Sequence, residues 1–163
     1  MQLENITNCI ILLANLHEEL LTISKEKTES IKSGNMESLS KLLMQERKQL
    51  QAIEQAEEKR QAIVEDIFIH LKVSPKEKTV SELMNYLNSE QDKEQLNAVV
   101  ARLVNVIVKL REIERLNNDL ILQSMQFVQL SLDMLQPSAK SINYNEKSGK
   151  QESLKRTVFD SKA

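Results

Sequence analysis

The sequence predicts an all-α protein: an elongated antiparallel helical hairpin built up to a three-helix coiled-coil bundle, with a short extra helix and a disordered C-terminal tail. Three observations carry that prediction. The 163 residues include two Gly, two Pro and no Trp, and aromatic residues make up 3 %, whereas strand-rich folds need many turns and favour aromatic side chains. Apolar residues recur at alternating steps of three and four, the period of one helical face. The stretch from Gln91 to Gln136 has neither Gly nor Pro before Pro137, so it reads as one amphipathic helix, roughly 65–70 Å long at about 1.5 Å per residue. A helix of that length needs long partners beside it.

From the N-terminus, the first helix covers about residues 2–32. Leu3, Ile6, Ile10, Leu13, Leu20 and Ile31 set its stripe, and Cys9, Leu16 and Ile23 widen it. Its second half thins to the polar run Ser24–Lys32, expected to be more exposed and frayed. Ser33-Gly34-Asn35 breaks the helix: Gly34 suits the left-handed conformation that ends a helix, and Asn35 suits an N-cap. So short a connection turns the second helix, about 36–71, back alongside the first. Met36, Leu39, Leu43, Leu50, Ile53, Val64, Ile67 and Leu71 hold a heptad register there, interrupted by Glu46, Glu57 and Arg60. Polar residues at such positions either fix register or turn outward.

Residues 72–78, with Pro75, form a loop. Thr79-Val80-Ser81-Glu82 has the capping-box pattern, which makes Thr79 the N-cap of a short helix running to about Asn88. Val80, Leu83, Met84 and Leu87 give that helix a face to bury. Ser89–Asp92 starts the long helix, about 91–136, and Pro137-Ser138 stop it. The bundle therefore covers residues 1–136 and a flexible tail covers 137–163. The tail is polar, with six Lys/Arg against three Asp/Glu after Pro137. That asymmetry suits contact with an acidic surface.

The formal charge of −2 argues against a general nucleic-acid binder, which usually presents a basic face. One cysteine, Cys9, excludes an internal disulfide framework, suits a reducing cytosol and falls among apolar neighbours as a buried thiol. The run Cys9–Leu16 is too short to span a bilayer, and Glu4 precedes it where a signal peptide would be basic. The expectation is a cytoplasmic protein without stable membrane insertion. His17 and His70 lie on different helices without ligand-spaced companions; Asp66 and His70, four apart, read as a surface pair. With no glycine-rich phosphate loop, cysteine cluster or nucleophile elbow, the sequence predicts no enzyme, cofactor or metal site.

The long helix carries more apolar surface than one seam uses. Leu96, Val99, Leu103, Val106, Leu110 and Ile113 are joined by Val100, Val104, Ile107 and Val108, and two flanking helices would bury this part as ordinary core. Beyond Asn117 a four-residue step selects Ile121, Met125, Val128, Leu132 and Leu135, which is the expected inward set. Leu120, Phe127, Leu130 and Met134 then form a second stripe without an internal owner, although the roles of the two sets are interchangeable. A stripe rich in adaptable methionine suits an amphipathic segment of another protein. Self-association of the free protein and internal packing are the alternatives, and an oligomeric coiled-coil scaffold is the rival function.

The order of parts is a helix, a Ser-Gly-Asn turn, and a helix with Leu39, Glu46, Leu50 and Arg60. There follow the long helix ending ERLNNDLILQSMQFVQLSLDML and a tail with Tyr144 and Gly149. This resembles the FlgN family of flagellar type III export chaperones over most of residues 1–150. The family's tail motif is usually one residue tighter between Tyr and Gly than it is here. The resemblance implies a cytoplasmic chaperone without ATPase activity, acting transiently at the membrane-embedded export apparatus. Its clients would be the C-terminal helical segments of hook–filament junction proteins, held soluble and unassembled until they reach the export gate. It further implies that Tyr144 and Gly149 dock the tail at that gate.

Overall fold

The computed structural model describes the backbone of residues 2–160 and the side chains of residues 3–135. It contains four helices: α1 (Gln2–Ser33), α2 (Met36–His70), α3 (Val80–Met84) and α4 (Glu90–Asp160). The chain divides into two units, Met1–Leu120 and Ile121–Ala163.

The caps lie where local chemistry places them. Gly34 takes φ +67°, and the Asn35 N–H donates back to the Ser30 carbonyl at 3.0 Å, closing the end of α1. The Asn35 side chain accepts from the Ser38 N–H at 3.0 Å, the Thr79 hydroxyl from Glu82 at 3.0 Å and the Ser89 hydroxyl from Asp92 at 3.3 Å. α2 ends without a glycine: Lys72 adopts φ 54° while Val73 donates to the Phe68 carbonyl at 3.2 Å. α3 stops at Met84, short of the expected Asn88, because Asn85, Tyr86 and Leu87 tighten into bonds back to Glu82, Leu83 and Met84.

In the first unit α1 is the central helix. The apolar core joins Ile6 and Ile10 of α1, Val64, Ile67 and Phe68 of α2, Val80 and Leu83 of α3, and Leu96 of α4. The Phe68 ring meets Tyr86 edge-on, with centroids 5.8 Å apart, which ties the segment after α3 to α2. α2 runs antiparallel to α1, whereas α4 runs parallel to it. Arg102 bonds Asn15 and Glu18, Glu114 bonds Ser24 and Lys27, and Asn117 bonds Thr28 and Ser24. Within Leu3–Ser33, α1 holds a window long and apolar enough to cross a membrane by composition, wider than the Cys9–Leu16 run suggests. In this fold its apolar side packs into the bundle.

The second half of α1 departs from the expectation of a frayed, exposed end. Ser24, Lys27, Thr28 and Ser30 are buried. Each has a partner. Lys27 Nζ lies 2.6 Å from Glu46 of α2 and 3.1 Å from Glu114 of α4, and Ser24 donates to that same Glu114. The Thr28 hydroxyl donates to Asn117 at 2.6 Å, and Asn117 returns a bond to the Ser24 carbonyl at 2.9 Å. A polar layer thus continues the bundle where apolar residues run out. Glu46 fixes α2 against α1 through it, whereas Glu57 and Arg60 pair with each other along α2.

The heptad assigned to α2 is corrected in part. Its Val64 and Ile67 are buried, joined by Leu42, Ala56 and Phe68 from outside that register, while its Met36, Leu43, Leu50 and Leu71 are exposed. On α4, Leu96 and Val106 are buried as core, but Val104 and Val108 are about half exposed.

The sequence places the end of α4 at Gln136, yet its helical backbone runs through Pro137 to Asp160. Proline removes one backbone donor, that to the Asp133 carbonyl. No second proline follows, and the flanking backbone bonds can persist around the single loss.

Candidate partner-binding segment

The second unit begins at Ile121. From there to Leu135 the helix reads ILQSMQFVQLSLDML, with Asp133 its single formal charge. Ile121, Leu122, Met125, Phe127, Val128, Leu130, Leu132, Met134 and Leu135 are all exposed, Phe127 at 70 % and Met134 at 73 %. Apolar side chains on two arcs of a helix are normally buried; at these positions they are exposed.

Members of both stripes are exposed. Ile121, Met125, Val128, Leu132 and Leu135, expected to face inward, are 39 % to 67 % exposed. Spacing identified the stripe but could not say what would face it. Phe127, Leu130 and Met134 of the second stripe are also exposed; Leu120 closes the first unit, half-buried. Leu122 falls off both stripes and lies among Gln129 and Asp133 on the polar side.

The remaining side of the helix is mostly polar. Gln126, Gln129 and Asp133 share it, and the Gln129 amide donates to Asp133 at 2.9 Å, whereas Gln123 falls within the second stripe. Between the two stripes lie the small residues Ser124 and Ser131. The Ser131 hydroxyl donates to the Phe127 carbonyl one turn back at 2.9 Å, so its hydrogen bond is made within the helix.

A further apolar surface occurs on α2 of the first unit. Leu43, Met44 and Leu50, edged by Arg47 and Glu54, line an open groove. The heptad assigns Leu43 and Leu50 to the seam and so conceals this groove; Met44, off the heptad, is the signal for it. Asp66 and His70 do form a surface pair, at 3.4 Å. Cys9 is buried, its thiol donating to the Ala56 carbonyl at 3.5 Å, and burial pushes its pKa up. Among the described residues no three His, Cys, Asp or Glu converge as a metal site. Tyr144 and Gly149 lie outside the residues whose side chains are described.

Comparison with known proteins gives two findings. The family model for the FlgN protein matches residues 1–152. YvyG, an uncharacterized protein of Bacillus subtilis (strain 168), is 36 % identical over 150 residues, covering 91 % of each chain. No solved structure matches.

Proposed function

The chain belongs to the FlgN family of flagellar export chaperones, and on that premise we propose that it is a cytoplasmic chaperone for hook–filament junction proteins. It covers their C-terminal helical segments, prevents premature assembly and delivers them to the export gate of the flagellar type III system. The observation that carries this reading is the exposed apolar segment Ile121–Leu135. A client helix that polymerises through its own apolar face would find an equivalent face there, so burial supplies affinity and the polar edge supplies discrimination. Release at the gate calls for moderate affinity, tuned through the off-rate.

Co-expression with each junction protein, followed by size-exclusion chromatography, tests the reading. A stable complex is expected with the wild-type chain and its loss with Phe127→Asp; an undiminished complex in that variant removes the segment from the site. Residues 137–163 are assigned to gate docking, with Tyr144 and Gly149 as anchors. Tyr144→Ala should spare the complex and lower secretion of the client, and unchanged secretion would clear Tyr144 of that role. Light scattering of the free protein separates this function from an oligomeric scaffold, for which a tight assembly at nanomolar concentration is required.

A further inference from the structure

We propose that the buried polar layer formed by Ser24, Lys27 and Thr28 of α1 with Glu114 and Asn117 of α4 is a register lock, which fixes how far α4 is drawn along α1. The inference goes beyond the chaperone reading and does not depend on it. The apolar seam of α4 does not choose its own alignment. Leu96 and Val99, Leu103 and Val106, and Leu110 and Ile113 repeat nearly the same pair at seven-residue spacing, and all six are buried or half-buried. Drawn back by one heptad, about 10.5 Å at 1.5 Å per residue, α4 would set Leu103 where Leu96 packs and Ile113 where Val106 packs. Such a retreat adds residues to the connection after α3 and stretches nothing, and lengthening a loop costs little.

The repeat ends at Asn117. That residue is 1 % exposed; its side chain accepts from the Thr28 hydroxyl at 2.6 Å and donates to the Ser24 carbonyl at 2.9 Å. One turn earlier, Glu114 accepts from the Ser24 hydroxyl and, at 3.1 Å, from Lys27. After a retreat of one heptad Ile121 would stand in the place of Glu114, and Asn117 in that of Leu110. Lys27 would keep Glu46 but lose Glu114, the Ser24 hydroxyl would lose its acceptor, and Asn117 would leave both of its partners. A buried donor or acceptor left without its partner is strongly unfavourable, and a polar residue at a seam position is the best-attested device for fixing register. The same penalty bars Ile121 from a position that apolar packing alone would reward.

The test moves the lock by one heptad in the full-length chain without changing its composition: Glu114→Ile with Ile121→Glu, and Asn117→Ser with Ser124→Asn. Only the retracted register then offers Ser24, Lys27 and Thr28 their partners. Hydrogen exchange followed by mass spectrometry reads the register, because Glu90–Leu96 leave the core when α4 retreats. The expected result is exchange at least tenfold faster in Glu90–Leu96, with α1 and α2 at the wild-type rate. Unchanged exchange in Glu90–Leu96, faster exchange throughout the bundle, or a chain that does not fold overturns the lock. A second variant removes the layer instead, with Lys27→Met, Thr28→Val, Glu46→Met, Glu114→Leu and Asn117→Leu. A fast-exchanging population confined to Glu90–Leu96 is expected there, and its absence likewise overturns the proposal. No client enters either measurement, so the chaperone reading stands or falls separately.

Discussion

Lys27 carries the strongest commitment of any single side chain. It is 5 % exposed, yet its ammonium is held by carboxylates from two other helices. Removing one member of such a group strands the others, so Lys27→Met should cost about 3 kcal/mol, toward the lower end of the buried-pair range because Glu46 and Glu114 keep some access to water. Urea denaturation measures this, and a cost below that of an ordinary surface change would mean the layer is solvated. Lys72 is a residue of the opposite kind, placed where glycine belongs. At φ 54° it bears the Cβ penalty of the left-handed region, and Lys72→Gly should stabilise by about 0.5–1 kcal/mol. Neither role was legible from spacing. Lys27 stands in a run that reads as solvated, and its burial depends on acids 19 and 87 positions away. Gly34, Asn35 and Thr79 were legible because their work is done within four residues.

Individual helices show what pattern alone resolves. The existence of α1, α2 and the long helix followed from periodicity, and their starts followed from caps. Which part of the α2 stripe is buried did not, since Met36, Leu43 and Leu50, which are exposed, satisfy the heptad as well as Val64 and Ile67, which are buried. What decided between the stripes was the α1 surface, with Ala56 allowing close approach and Glu46 reaching Lys27. The acidic ends of pairs between and along elements set the pH response. Glu57 is lowered by its bond to Arg60, Glu65 by Lys78, and Glu18 by Arg102 across to α4. Each carboxylate is thus lower in the folded chain than in the unfolded one, so the unfolded state takes up protons first as pH falls. Stability from these pairs is complete above the ordinary value near 4.5 and disappears as pH drops through the lowered folded values. The melting temperature should stay level from pH 7 to about 5 and decline below about 4.5; a melting temperature that rises on acidification would contradict these pairings.

For the molecule, the proposed function separates what folds the chain from the segment assigned to binding. Every residue of the apolar core, from Ile6 to Leu96, lies in the first unit, as does the polar layer from Ser24 to Asn117. The apolar side chains from Ile121 to Leu135 bury little, so they add little to folding by area, at about 25 cal/mol per Å² of surface removed from water. A chain ended after Leu120 should therefore unfold with nearly the midpoint of the full protein, within about 0.5 kcal/mol, as surface changes do. It should also be more soluble, because the exposed apolar segment is gone, and it should capture no client. Thermal denaturation and co-purification of the two lengths with a junction protein read both halves of this expectation. A large fall in the midpoint would show that residues beyond Leu120 complete the bundle, and client capture by the shortened chain would move the binding surface to the first unit, where the Leu43–Leu50 groove of α2 is the remaining apolar candidate.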